Sequence, residues 1–234
     1  MHTKIQNINL SKLCEIDIEI SSDNPFENLQ YLQAMEESKS ASENTGWIPS
    51  HLGELDDGKL KSFLPLYKKF NSYGEFIFDH QWANALQQTG RNYYPKLLTA
   101  IPFTPCEGDR VLGGTEEQKI NLIDSCVKRL EEEQIESWHI LFPNDAGKKI
   151  FRSQSFIERF NYRFVWHNNN FSSFDDFLSV FTSRQRATIR KERKSIAREE
   201  ITFKSKNFDE ITPEDWDLFY GFYEITYYER GQNP

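Results

Sequence analysis

The chain has 234 residues, 38% of them hydrophobic, 27% charged and 15% aromatic, and a net charge of −8. That length suits one complete domain and part of another, and the apolar share excludes a disordered chain. The acidic balance argues against indiscriminate binding to nucleic acid or anionic membrane, and no run of about 18 apolar residues offers a membrane span.

In chain order, the partial alternation of Leu13, Ile16, Ile18 and Ile20 predicts a strand over Leu13–Ile20. Asp23-Asn24-Pro25 predicts a helix start, with Phe26, Leu29, Tyr31, Leu32 and Met35 on one face. Trp47–Leu55 and Lys59–Lys68 read as two strands joined by the turn Asp56-Asp57-Gly58. Phe76–Phe78 reads as a short strand, and Gln81–Gln88 as a helix closed by Gly90. Lys96–Thr104 is the most strand-like run of the middle, and Pro102 and Pro105 keep its end from pairing fully. Thr115-Glu116-Glu117-Gln118 is a capping box for a helix over Glu116–Gln134, where Ile120, Ile123, Val127 and Leu130 recur at helical spacing. A strand over Trp138–Phe142, a helix over Ala146–Ser153, and a helix turn followed by a strand over Phe156–His167 complete the series. The order implies an α/β fold with a mixed sheet flanked by helices.

Asn168-Asn169-Asn170 marks the expected boundary between a first domain, 1–168, and the start of a second, 169–234. In the second, Ser173 caps a helix bearing Phe174, Phe177, Leu178 and Phe181, and Ser183 begins a basic helix. Between Arg184 and Arg198 seven basic residues meet one acid, a local +6 that leaves −14 on the rest of the chain. Ile201–Phe203 reads as a strand, and Thr212 and Pro213 start a last helix faced by Trp216, Phe219, Tyr220, Tyr223 and Tyr227. Such a face needs cover. The expectation is a second unit cut short, covered by further chain, by the first domain or by another copy in a homo-oligomer.

The first nine residues lack the basic start and apolar run of a secretory signal. Cys14, Cys106 and Cys126 are far apart without metal spacing and read as reduced thiols of a cytoplasmic protein. His80, His139 and His167 are separated by wide gaps, so no metal is expected, and His139 reads as a hydrogen-bonded strand residue.

Several runs carry a family resemblance: Ser72-Tyr73-Gly74-Glu75-Phe76-Ile77-Phe78-Asp79, Tyr93-Tyr94-Pro95-Lys96-Leu97, Ile101-Pro102-Phe103-Thr104-Pro105, Trp138-His139-Ile140-Leu141-Phe142 and the basic helix. Together, in this order over roughly Asn24–Arg230, they resemble the Fem-type N-acyltransferases of bacteria, relatives of the GNAT acetyltransferases that include peptidoglycan biosynthesis or recognition proteins. The resemblance implies two GNAT-like units, the second incomplete here. It also implies a donor that is either acyl-CoA (acetyl-CoA) or aminoacyl-tRNA, and an amine acceptor such as a peptidoglycan precursor. In the GNAT fold a thioester arm inserts where the sheet splays beside the fourth strand. Lys96–Thr104 suits that gap, with Phe103 and Thr104 at its end. Arg110-Val111-Leu112-Gly113-Gly114-Thr115 stands where those enzymes carry Arg/Gln-x-x-Gly-x-Gly/Ala, with Thr115 at the last position. Arg110, Gly113, Gly114 and Thr115 would then meet the pyrophosphate, although Glu116 and Glu117 would repel it.

Acyl transfer needs a base to free the amine's lone pair. Glu75 and Asp79, carboxylates inside an apolar aromatic run, are the candidates, and their alternative is to cap turns or pair with a lysine. Tyr73 or Tyr94 could protonate the leaving group. Arg186, Arg190 and Arg193 form one stripe of the basic helix, suited to the phosphates of a tRNA, a nucleotide-linked acceptor or a cofactor. Lys191, Lys194 and Arg198 form another, and a solvated face is the alternative for both. The sequence therefore supports an N-acyltransferase first, an inactive binding module of the same scaffold second, and an RNA-binding protein third.

Overall fold

The structure is a computed structural model, and it describes residues 3–77, 79–199 and 201–231. The chain divides into two compact units, Met1–Asn161 and Tyr162–Pro234.

In the first unit, β1 (Lys4–Asn7) leads into a 3-10 helix, Leu10–Glu15, whose start is capped by the Asn9 side chain. Only Asp17–Ile18 (β2) is strand where Leu13–Ile20 was expected, because the capped turns consume the first half of that run. Asn24 caps a second 3-10 turn, Pro25–Glu27, and Asn28 caps α1 (Leu29–Glu37).

Each long strand of the expected hairpin splits in two: β3 (Trp47–Pro49) and β4 (Leu52–Asp56), then β5 (Lys59–Leu64) and β6 (Tyr67–Lys69). Asp57 and Gly58 turn β4 into β5 with positive φ at both positions, as a two-residue hairpin requires. Pro49 and Pro65 stand at the splits, and neither has an N–H for a ladder. His51 bridges the interruption, with Nδ1 accepting from the Leu66 N–H at 2.9 Å and Nε2 lying 2.6 Å from Glu36 Oε1. The split sends the two halves into different sheets.

Then come α2 (His80–Gln88), β7 (Lys96–Thr99), β8 (Leu112–Gly113), α3 (Glu116–Glu132), β9 (Trp138–Ile140) and α4 (Asp145–Ser153). Among the described residues the strands form two mixed sheets rather than the single one expected. One runs β1-β4-β5-β2 with β8 also on β5, and the other β3-β6-β7-β9. Strand β7 is antiparallel to β6 and parallel to β9. The α/β class with mixed sheets and flanking helices stands.

Alternation places β7 between two cores. Leu97 joins Leu64, Leu66, Leu122, Ile123 and Trp138 beneath α3. Leu98 faces the other way, with Trp47, Tyr67 and Leu141. Each such side chain contributes about 1.5–3 kcal/mol by burial. The strand ends at Thr99, short of the expected Thr104, because the chain turns there and the Thr104 N–H bonds the Ile101 carbonyl at 3.3 Å. Phe76 and Ile77 are not in a strand, and Phe78 lies outside the described residues. Residues 156–167 form neither the helix turn nor the strand expected, and among the described residues no strand pairs with them.

The second unit contains α5 (Phe174–Ser179), α6 (Ser183–Arg198) and α7 (Pro213–Tyr228), capped by Ser173, Thr182 and Thr212. Residues 201–203 are not a strand; among the described residues no neighbour offers them a ladder. The rings of α7 are exposed, among them Trp216, Phe219 and Tyr220. No helix among the described residues is long and apolar enough to cross a membrane.

Candidate active site

The register of the second sheet sets Trp47 opposite Lys69 and Lys69 opposite Lys96. One row across β3, β6 and β7 thus reads Trp-Lys-Lys, on the face that carries Tyr67 and Leu98. Like charges directly opposite one another destabilise a sheet unless something offsets them. The offset is the loop after β6, which lays Glu75 and Asp79 against the row. The side chains of Lys69, Lys96, Glu75 and Asp79 are all fully buried.

Lys96 is the hub of this cluster. Its Nζ donates to Ser72 Oγ at 2.8 Å, Glu75 Oε2 at 2.8 Å and Asp79 Oδ2 at 2.6 Å. Asp79 Oδ2 also accepts from Ser72 Oγ at 2.8 Å and from the Tyr93 hydroxyl at 2.7 Å. The Tyr94 hydroxyl lies 2.7 Å from Ser72 Oγ, and Tyr94 is only half-buried. A continuous path therefore runs from a partly exposed phenol through a serine to a buried carboxylate. Lys69 sits over the Trp47 ring, 3.9 Å from its centroid, and donates to the Tyr73 carbonyl at 3.0 Å. The Trp47 indole N–H donates to that same carbonyl at 3.1 Å, so two groups pin the loop.

Burial lowers Lys69 to about 7, with Glu75 opposing the shift and Lys96 adding to it. Burial raises Glu75 despite the lysines beside it. Burial would raise Asp79 too, but hydrogen bonds from Lys96, Tyr93 and Ser72 outweigh it and hold the carboxyl at about 2. His139 donates to or accepts from Tyr93 Oη at 3.3 Å and Ser137 Oγ at 3.2 Å, and burial with nearby Lys96 lowers it to about 4.

These shifts set the acid response. A neutral His139 in the folded state and a protonated one in the unfolded state make stability fall as pH drops from 6.5 to about 4. Asp79 adds a second loss between 3.8 and about 2, where the unfolded carboxyl takes up a proton first. Thermal unfolding followed across this range should show both losses, and His139→Gln should remove the upper one alone.

The three carboxylate and tyrosine candidates, Glu75, Asp79 and Tyr94, thus come together around Lys96. Both carboxylates pair with a lysine, the alternative reading of their sequence context. In the sequence, Ser72, Tyr93 and Lys96 stand only within the runs that carry the family resemblance, with no site role, and Lys69 stands in none of them. The available signal was the period-two pattern Tyr67-Lys68-Lys69, which puts Lys69 on the same face as a tyrosine of the core.

The residues expected at a cofactor lie elsewhere and are engaged by the fold. Arg110 is buried; its Nε donates to the Leu141 carbonyl at 2.6 Å and its other nitrogens bond the Asp109 and Cys106 carbonyls. Gly108 N–H bonds the Phe142 carbonyl at 3.2 Å and its carbonyl accepts from Asn144 N–H at 2.9 Å. The edge of the chain beyond β9, where it parts from β7, is therefore already paired. Gly113 has φ +65, and a Cβ there would stand 2.6 Å from the Lys61 carbonyl, so this glycine serves close packing on β5. Gly114 lies over Ser62 in the same way. The Thr115 N–H is bonded by Gln118 Oε1 at 2.9 Å. Thr104 Oγ1 bonds the Pro102 carbonyl at 3.0 Å, and the Phe103 ring leans on Trp47 with centroids 5.5 Å apart. Arg110 and the Thr115 N–H are thus already bonded within the fold.

In the second unit the stripe of Arg186, Arg190 and Arg193 packs α6 on α5. Arg186 bonds the Phe181 carbonyl, Arg190 pairs with Asp175 at 2.9 Å, and Arg193 lies over the Phe174 ring at 4.2 Å. Among the described residues Arg184, Lys191, Lys194 and Arg198 make no ion pair. No group of His, Cys, Asp and Glu among the described residues could hold a metal ion. A surface cavity of about 330 Å³, lined by Leu13, Ile18, Glu27 and Leu29 among others, shares no residue with the Lys96 cluster.

A family model described as FemAB-like, peptidoglycan biosynthesis/recognition, matches residues 4–234. No curated protein matches the chain. Among solved structures, the chain is similar to a ribosomal-protein-alanine N-acetyltransferase from Brucella melitensis biovar Abortus 2308. The identity is 13% and the TM-score 0.40, over 71% of this chain and 100% of that one.

Proposed function

The chain belongs to the FemAB-like family of peptidoglycan biosynthesis and recognition proteins, and on that premise we propose that it transfers an aminoacyl group onto an amine of a peptidoglycan precursor. The observation that carries this reading is the hydrogen-bonded path Tyr94–Ser72–Asp79 around Lys96. In the reaction, the amine nitrogen attacks the acyl carbon, a C–N bond forms and the ester C–O bond breaks. The amine's proton goes to the Tyr94 oxygen while the phenol proton passes toward Ser72 and Asp79. The same path then returns a proton to the departing hydroxyl. Asp79, held at about 2, is too acidic to keep that proton, so it orients the relay. Glu75 lies off this path and holds Lys96 Nζ at 2.8 Å, keeping the ammonium group beside Ser72 and Asp79.

Of the two donors, aminoacyl-tRNA is favoured over acyl-CoA. A thioester arm would need the strand edge that Gly108 and Arg110 already bond, and a pyrophosphate would need the loop around Gly113 that packs on β5.

The test is to incubate the protein with radiolabelled aminoacyl-tRNA or radiolabelled acetyl-CoA and a muropeptide bearing a free side-chain amine. Label is expected in the muropeptide from aminoacyl-tRNA. Label from acetyl-CoA instead would overturn the choice of donor. The second reading, a binding module without catalysis, is favoured by the complete burial of Glu75 and Asp79. Muropeptide binding without transfer from either donor would establish it.

A further inference from the structure

We propose that the second unit pairs with the same unit of a second copy of this chain, a basic stripe of α6 on one copy lying along an acidic stripe of α7 on the other. The inference is independent of the reaction proposed above and concerns a surface that the reaction does not use.

The two helices match in length and in pattern. Each has 16 residues, or about 24 Å of helix. On α6, Arg184, Ala187, Lys191, Lys194 and Arg198 recur at i, i+3, i+7, i+10 and i+14, one narrow stripe down the helix. On α7, Glu214, Asp217, Gly221, Glu224 and Tyr228 recur at the same positions. The first stripe holds cations and no acid, the second acids and no cation.

Whichever way the helices run, the middle positions Lys191 and Gly221 meet. A glycine inside a helix costs about 0.5–1 kcal/mol relative to alanine. The chain's own packing does not require this one, since a Cβ on Gly221 would meet nothing within 4 Å. Against a second helix it has a use, because small residues at the contact let two helix axes approach.

Neither stripe is engaged by its own chain. The arginines that hold α6 to α5, Arg186, Arg190 and Arg193, lie about a third of a turn round the helix from the open stripe. Among the described residues, no ion pair includes Arg184, Lys191, Lys194, Arg198, Glu214, Asp217 or Glu224. All of these but Glu224 are exposed. Complementary stripes left open on one molecule are satisfied by a second, and a two-fold axis forms the α6–α7 contact twice.

Exposed ion pairs set partner and register more than affinity. Affinity comes from burial, and Tyr220, Ile225 and Tyr228, on or beside the α7 stripe, are exposed apolar surface to cover. A polyanion would use the cations of α6 alone. A second copy accounts for the cations, the acids and Gly221 together.

Sedimentation velocity of the full chain is expected to show a monomer–dimer equilibrium that weakens about tenfold between about 0.05 M and about 0.5 M salt. One variant carries Lys191→Glu with Lys194→Glu, the other Asp217→Lys with Glu224→Lys. Each alone should dimerise about a hundredfold more weakly, with a thermal midpoint within about 2 °C of wild type. Mixed together they should associate again, because the mixture restores opposite charges at both contacts. A contact between α6 and α7 of one chain would not be restored by mixing. A wild type that stays monomeric at about 100 μM in low salt, a dimer indifferent to both reversals, or variants that do not associate on mixing would each overturn the proposal. So would a monomer that binds an oligoribonucleotide through Lys191 and Lys194.

Discussion

Tyr94→Phe is expected to lower the rate of aminoacyl transfer about a hundredfold while moving the thermal midpoint by no more than about 2 °C. The substitution removes one oxygen, the outermost of the path. Ser72 keeps its bonds to Asp79 and Lys96 at 2.8 Å, so the buried cluster stays satisfied. The ring remains edge-on against Tyr93, with centroids 4.9 Å apart. What is lost is the group that can take the amine's proton at the protein surface and relay it inward. A loss in turnover with little change in KM is the signature of that role. A rate within about twofold of wild type would remove Tyr94 from the mechanism.

Lys96→Met is expected to cost about 3–5 kcal/mol of unfolding free energy, read from urea titration. Lys96 is the donor shared by Ser72, Glu75 and Asp79, and all three charged side chains concerned have no solvent exposure. Without it two carboxylates remain buried, and Glu75 Oε1 and Asp79 Oδ1 already lack a hydrogen-bond partner among the described residues. Burying uncompensated charge is far costlier than losing one hydrogen bond. Adding Glu75→Gln and Asp79→Asn to Lys96→Met should recover much of the loss, because those changes remove the stranded charges. If the single variant is as stable as wild type, the cluster does not hold the loop.

Much of the secondary structure was legible in the sequence, and the cases that were not share a cause. The capping boxes at Thr115 and Thr212 announce α3 and α7 because a side chain bonding a nearby N–H is a local event. The turn at Asp57-Gly58 is local in the same sense. Residues 13–20, 156–167 and 201–203 have strand-like composition and are not the strands they suggest, since a strand exists only where a neighbour completes its ladder. The division of one hairpin between two sheets depends on the interruptions at Pro49 and Pro65 falling near the same level of the pair, between Pro49 opposite Tyr67 and Leu52 opposite Leu64, which the separate strands do not disclose.

The candidate site divides along the same line. Glu75, Asp79 and Tyr94 stand out in the sequence as polar groups in aromatic surroundings, and the structure places all three around one ammonium group. Nothing in the sequence marks Lys96 as a site residue, because it opens a strand, where a lysine is ordinarily solvated. Its burial follows from register, which sets it opposite Lys69, and from a loop that brings two carboxylates from about twenty residues upstream. The arginine stripe of α6 is periodic in the sequence, but which neighbour it faces is decided by α5.

By itself, then, the sequence determined the α/β class, α3 and α7 with their caps, the absence of an apolar run long enough for a bilayer and the family resemblance, all of which rest on short-range pattern, whereas the helix expected from Asn24-Pro25 begins at Leu29 after a 3-10 turn. Only the tertiary structure decided which charges are buried together, that Arg110 and Gly108 bond the chain beyond β9, and that Phe76 is exposed at a positive φ. Those outcomes depend on residues far apart in the chain reaching the same few ångströms. There, desolvation and unmet hydrogen bonds, rather than local propensity, set the energy.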